Sequence, residues 1–215
     1  ISDAEVDGLI FMREEEKLAR DVYLTLYDQW GLQTFSNIAS SEQTHTDSVK
    51  ALLDMYGIDD PVQDDTIGVF VDEDLQALYD ELVVTGSHAL KVGAAIEEID
   101  ILDLIENLEG TEEANIEWVY ENLKAGSENH LRAFVSQLEG QSGTAYEPQY
   151  LSQALYDEIM SSSNGRGGNG GGGHGNGHGL HVRPDLRRRD FRASARRDHG
   201  RRIRPDHTVT KRPAL

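Results

Sequence analysis

Apolar residues recur at helical spacing from Asp3 to about Trp30, as Val6, Leu9, Ile10, Leu18, Val22 and Leu26, and Gly31 ends the run. A second amphipathic stretch covers 34–56 through Phe35, Ile38, Val49, Leu52, Leu53 and Tyr56, with Gly57 as its stop. A third runs from Ser87 to about Leu108 and closes at Gly110. A fourth begins at Thr111, with Glu113 behind it, carries an apolar series to Leu138 and closes at Gly140. After the second stretch, "IDDPVQDDTIGVFV" reads as a connection, because Pro61, Gly68 and the Asp cluster favour turns. "DEDLQALYDELVVTG" then has acidic residues at its start and Gly86 at its end, the charge order of a short helix. Residues 147–160 predict one last short helix, with Pro148 in its first turn. Alternating β-branched runs are nearly absent, so the fold class is all-α. Four long helices, with a connection of about 30 residues between the second and third, predict a four-helix bundle with one crossover. Helices broken by Gly, without sustained heptads, fit a coiled coil less well.

The pattern stops near residue 161, and composition shifts with it. Residues 1–160 hold 35 Asp and Glu against 7 Lys and Arg, a formal charge of −28, whereas the last 55 residues carry +9. The expected organisation is one helical domain over 1–160 and a low-complexity, disordered tail over 161–215. "NGRGGNGGGGHGNGHG" is a glycine-rich flexible segment, and the Arg-rich stretch beyond it has no apolar period. That stretch reads either as a nucleic-acid-binding arm or as a frameshifted or vector-derived end; the contrast with the core favours the second. A core so acidic repels nucleic acid and anionic membrane surfaces, and it should attract cations. No cysteine is present, which excludes disulfides, thiolate zinc sites, iron–sulfur clusters and cysteine nucleophiles. The chain opens at Ile1 with no basic segment leading into an apolar run, so a mature or trimmed product is expected. No stretch approaches the roughly 18 to 20 apolar residues of a membrane span.

Within "SSEQTHTD", Glu42 and His45 lie three residues apart on the second helix, about 60° apart on its surface and one turn in height. Such a pair can hold one metal ion, but alone it is weak evidence, since Glu-x-x-His arises often by chance. Its phase matters more than its spacing. The apolar stripe passing through Phe35, Ile38, Val49 and Leu52 brings both residues to the core side, where a carboxylate demands a partner. On the first helix, Glu16 shares the stripe of Ala19 and Tyr23, whereas Glu14 and Lys17 point away and Glu14 and Glu15 read as a solvated charge run. On the third, the inner side defined by Leu90, Ala94, Ile101, Leu104 and Leu108 passes through Glu97, with Asp100 at its edge; Glu98 replaces Glu97 if the helix is rotated slightly. On the fourth, His130 aligns with Leu123, Ser127 and Phe134, and Glu128 falls largely outside.

These residues resemble the ferritin-like di-iron carboxylate proteins, in which two helices give one Glu each and two give Glu-x-x-His. Glu16, Ala19 and Tyr23 resemble the first-helix "E-x-x-A-x-x-x-Y" of the rubrerythrin branch. "EEEKLARDVY", "EIDILDL" and "SENHLRAF" look closer still to a prokaryotic ferritin-like family catalogued as domain of unknown function 2202. The resemblance covers roughly residues 3–160 and implies a ferritin-like bundle with two metal ions. Glu16, Glu42 and His45 would hold one ion, and Glu42, Glu97 and His130 the other. It departs at Ser127, where the pattern has a Glu; Asp100 is then the substitute oxygen donor. A cysteine-ligated electron-delivery domain, as in rubrerythrins, is excluded by composition.

The ligand types suit iron, manganese or zinc without choosing among them; the resemblance implies iron, with manganese or zinc as alternatives. With iron, the resemblance implies a di-iron oxidase, peroxidase or ferroxidase-type activity on O₂ or peroxide, with Tyr23 as a redox or hydrogen-bonding neighbour or as plain core packing. The alternatives are a non-catalytic metal-binding or storage protein, to which His174, His178 and His181 would be accessory, and a stress-related binding module with a mononuclear or empty site. The expected partners are metal ions and small oxidants, in a monomer or homodimer. The resemblance also implies an extracytoplasmic location, secreted or periplasmic, in a prokaryote.

Overall fold

The computed structural model describes residues 1–84 and 88–162. The described residues form six helices and no strand: α1 Asp3–Trp30, α2 Gln33–Tyr56, α3 Glu73–Val84, α4 Ala89–Glu109, α5 Ala114–Ser142 and α6 Gln153–Ser161. Of the expected tail over 161–215, only residues 161 and 162 are described, Ser161 as the end of α6; its three histidines lie outside the described residues, as do Gly86 and Ser87. No helix among the described residues is long and apolar enough to cross a membrane.

The helix ends follow local chemistry. Ser2 starts α1 with a capping box: its hydroxyl accepts from the Glu5 amide at 3.2 Å, and Glu5 Oε2 accepts from the Ser2 amide at 2.8 Å. Gly31 ends α1 in the left-handed region, φ 66°, leaving only Leu32 before α2, so the two helices fold back on each other. α1 packs chiefly on α2, and α4 on α5; the pairs meet through α1 with α4 and α2 with α5.

Three expected boundaries move, each because a carboxylate or a glycine elsewhere takes the backbone groups. α5 starts at Ala114 rather than Thr111, and Glu5 Oε1 accepts from the amides of Glu112 and Glu113 at 3.0 and 3.1 Å. Gly140 lies inside α5; Gly143, at φ 67°, is the actual stop. The last helix begins at Gln153 instead of in the turn of Pro148. Ahead of it, Glu98 Oε2 gathers the amides of Gln149, Tyr150 and Leu151 at 2.8, 2.6 and 3.0 Å, so this segment wraps a carboxylate before any helix can start.

The buried interior has a polar band between two apolar clusters. One cluster contains Leu18, Val22, Tyr23, Phe35, Ile38, Leu131 and Phe134. The other contains Leu9, Met12, Val49, Leu52, Leu104, Tyr120 and Leu123. Along each long helix the chain passes from one cluster to the other, and α1 and α2 make the passage in opposite directions, as do α4 and α5. The residues at the crossing level are Glu15 and Glu16 on α1, Glu42 and His45 on α2, Glu97 and Asp100 on α4, and Ser127 and His130 on α5, all buried.

A correction concerns the outer face of α1. Glu14, Glu15 and Lys17 are all buried, at 4, 2 and 0% exposure: the segment linking α2 to α3 lies over Glu14 and Lys17, on the side that the periodicity left to solvent, while Glu15 lies against Asp100 of α4. Lys17 Nζ donates to Asp21 Oδ2 at 2.5 Å and to the carbonyls of Thr66 and Val69 at 3.0 and 3.1 Å, and stands 4.5 Å above the Phe70 ring. Glu14 accepts from the amides of Val71 and Asp72 at 2.6 and 2.9 Å. The charged residues of α1 thus supply the hydrogen bonds that this irregular segment lacks within itself.

Candidate metal centre

Glu42 stands between two imidazoles. His45 Nδ1 lies 2.7 Å from its Oε2, and His130 Nδ1 lies 2.8 Å from its Oε1. The first contact follows from the three-residue spacing on α2; the second requires α5 to bring His130 to the same level. Glu16 Oε2 reaches His45 Nδ1 at 3.2 Å, and Glu97 Oε2 lies 3.5 Å from His130 Nδ1. The imidazole rings are stacked, with centroids 5.4 Å apart and planes inclined by 27°.

Two groups of three potential ligands result, Glu16 with Glu42 and His45, and Glu42 with Glu97 and His130; within each, one ligand atom per residue lies within 4.8 Å of the others. Glu42 belongs to both. Asp100 enters a different group, with Glu15 and Glu16, and no group combines it with His130. Its Oδ2 accepts from the Ser127 hydroxyl, which occupies the α5 position where a Glu was expected. Glu97 rather than Glu98 faces the band, since Glu98 is saturated by the 146–151 segment.

Neighbours orient these side chains. Tyr23 donates its phenolic hydrogen to Glu97 Oε1 at 2.5 Å. His130 Nε2 pairs with Ser41 Oγ at 2.9 Å, which turns Nδ1 toward the carboxylates. Gly126 makes room for His45, because a Cβ there would lie 2.6 Å from Cε1 and Nε2 of its ring. The two imidazoles are the most exposed members of the band, at 8 and 9%, so it approaches solvent between α2 and α5.

The electrostatics are those of an over-filled acidic site. Five carboxylates (Glu15, Glu16, Glu42, Glu97 and Asp100) share the band with two imidazoles, so three remain uncompensated even with both rings protonated. Burial alone would raise Glu42, but the imidazoles of His130 and His45 outweigh it and hold the carboxylate at about 2. Burial opposes charging of His45, yet Glu16 and then Glu42 push it up to about 12; Glu97 and Glu42 likewise carry His130 to about 10. Burial lifts Glu97 to about 7, and burial followed by the charge of Asp100 drives Glu16 and Glu15 well above the usual carboxylate range. Protons and imidazolium charge are the means of neutralisation available to the side chains alone; a divalent cation would replace both.

The donor set fits such an ion. Glu15 Oε2, Glu16 Oε1 and Asp100 Oδ1 are buried without a hydrogen-bond partner in the protein, and Glu42 Oε2 and His130 Nδ1 have only the ionic contacts given above. Unpartnered buried lone pairs on several helices are costly unless something else satisfies them. Sequence phase brought out six of these residues and missed Glu15. It carried no signal there, because Glu15 is indistinguishable from a solvated residue until α4 sets Asp100 against it.

A family model for an uncharacterized protein domain, DUF2202, matches residues 5–163. Uncharacterized protein MJ0754 from Methanocaldococcus jannaschii is 56% identical over 171 residues, covering 78% of this chain and 92% of the relative. The crystal structure of that hypothetical protein aligns with a TM-score of 0.74 at 56% identity, covering 76% of this chain and 95% of that one. The chain therefore belongs to the DUF2202 domain family.

Proposed function

We propose that the protein is a ferritin-like metal-binding protein whose histidine–carboxylate band holds two divalent ions, iron above manganese or zinc, and that it acts as an oxidase, peroxidase or ferroxidase. The observation that carries the reading is Glu42, placed between His45 and His130, with each side completed by a carboxylate from another helix. Two helix pairs joined by a long crossover, with inward Glu and Glu-x-x-His side chains, support the ferritin-like assignment.

Glu16, Glu42 and His45 would hold one ion, and Glu42, Glu97 and His130 the other. Iron so held supplies O₂ or peroxide reduction coupled to Fe(II) oxidation. The chain's own groups do the rest. Tyr23 fixes the Glu97 carboxylate, Ser41 orients the His130 ring, and the apolar clusters on either side keep bulk water out. Small oxidants would enter beside His45 and His130, the least deeply buried members of the band.

Anaerobic loading with Fe(II) followed by metal analysis tests this. At least two irons per chain are expected, one lost in His45→Ala, one in His130→Ala and both in Glu42→Ala, with Fe(II) oxidation on air exposure faster than in buffer. Retention of a single, redox-inert ion would turn the reading to a non-catalytic metal-binding protein. No retained metal would overturn it.

A further inference from the structure

The band contains a third cluster, which shares only Glu16 with the two histidine groups. Glu15, Glu16 and Asp100, from α1 and α4, each bring a carboxylate oxygen within 4.8 Å of the others. They are 2, 0 and 3% exposed. Nearness of acids is not in itself a site; how this protein treats its other buried carboxylates is informative. Glu14 receives two backbone amides. Glu98 receives three amides and the Tyr146 hydroxyl. Glu5 receives the amides of Ser2, Glu112 and Glu113 together with the Ser2 hydroxyl. Each of these three carboxylates thus receives two or more donors from the protein.

Glu15, Glu16 and Asp100 are not. Glu15 Oε2, Glu16 Oε1 and Asp100 Oδ1 have no hydrogen-bond partner in the protein. The cations of α1 are committed elsewhere: Arg13 to Asp60 and Thr46, Lys17 to Asp21, and Arg20 to Asp21, Gln43 and Asp65. Ser127 donates to the other oxygen of Asp100 and so fixes that carboxylate.

We propose that Glu15, Glu16 and Asp100 form a third cation site, all-oxygen in its protein ligands, selective for a hard divalent ion. Carboxylates without an imidazole suit Mn²⁺, Mg²⁺ or Ca²⁺, whereas the two histidine groups suit iron or zinc. The third site shares Glu16 with the proposed centre but does not depend on it. An ion there removes the charge that three dry carboxylates would otherwise confine together.

Equilibrium dialysis of the intact protein against Mn²⁺, read by metal analysis and by the electron paramagnetic resonance of the free ion, tests the site. Glu15→Gln should bind one Mn²⁺ fewer per chain than wild type, while keeping its helical circular dichroism. An unchanged stoichiometry would overturn the proposal. His130→Ala separates the two centres: loss of one ion in Glu15→Gln with none in His130→Ala supports the third site even as the histidine reading fails. Should Glu15→Gln not fold, Glu15→Asp keeps the charge but withdraws the oxygen by one methylene. Its Mn²⁺ affinity at this site should fall at least tenfold, and equal affinity would refute the assignment.

Discussion

The hydroxyl of Ser127 donates to Asp100 Oδ2 across the α4–α5 contact, so a neutral side chain on α5 orients a carboxylate of α4. The same hydroxyl lies 3.0 Å from the Leu123 carbonyl. Ser127→Ala removes the donor and leaves a second Asp100 oxygen unsatisfied, for a loss of about 1 to 3 kcal/mol. Urea denaturation with chelator present measures it; a midpoint equal to wild type would show that Asp100 finds another donor.

Glu42 is the carboxylate on which both imidazoles depend, at 2.7 and 2.8 Å. Replacing it with Gln keeps the volume and removes the charge, leaving two imidazoles facing an amide. Loss of one partner from a buried ionic network costs about 3 to 5 kcal/mol. Thermal melting of chelator-treated protein should place Glu42→Gln well below wild type, and a rise in stability would mean that the imidazoles are neutral.

At Gly126, a methyl group would lie 2.6 Å from the His45 ring. Gly126→Ala gains about 1 kcal/mol of helix propensity, but the ring must turn away from Glu16 and Glu42. Loss of these buried ion pairs outweighs the gain, so chelator-treated protein should be less stable than wild type. Chelator competition should show metal affinity lowered about tenfold to a hundredfold, the range for displaced ligand support. Unaltered affinity would remove His45 from the ligand set.

Glu5 ties the start of α1 to the α4–α5 connection. The Ser2 amide first, and then that of Glu112, hold its carboxylate at about 2, below its ordinary 4.5. A depressed value in the folded protein means that the stabilisation is complete above about 4.5 and is lost as pH falls toward 2. Glu5→Gln should therefore be less stable than wild type at neutral pH, and the difference should shrink steadily below about 4.5. Urea midpoints across that range decide it; a gap that does not change with pH would refute the charge as its origin.

Much of this was readable from periodicity, because a helix repeats every 3.6 residues and packs one stripe inward. Glu42, His45 and His130 fell on that stripe by phase alone, as did Glu16 and Glu97. Glu14, Glu15 and Lys17 were misread for a physical reason. Periodicity assumes that one face of the helix meets water, whereas here the 57–72 segment lies over Glu14 and Lys17 and is bonded by these very charges, and α4 sets Asp100 against Glu15.

By itself, the sequence determined the all-α class, the four long helices and the inward phase of Glu16, Glu42, His45, Glu97 and His130, since these depend on residues a few positions apart. Which ligands share an ion depends on contacts between helices distant in the chain. Only the tertiary structure put His130 against Glu42, Tyr23 against Glu97 and Asp100 against Ser127 and Glu15. Only there do Glu14 and Glu98 find backbone donors while Glu15 Oε2 finds no partner, the difference on which the proposed third cation site rests.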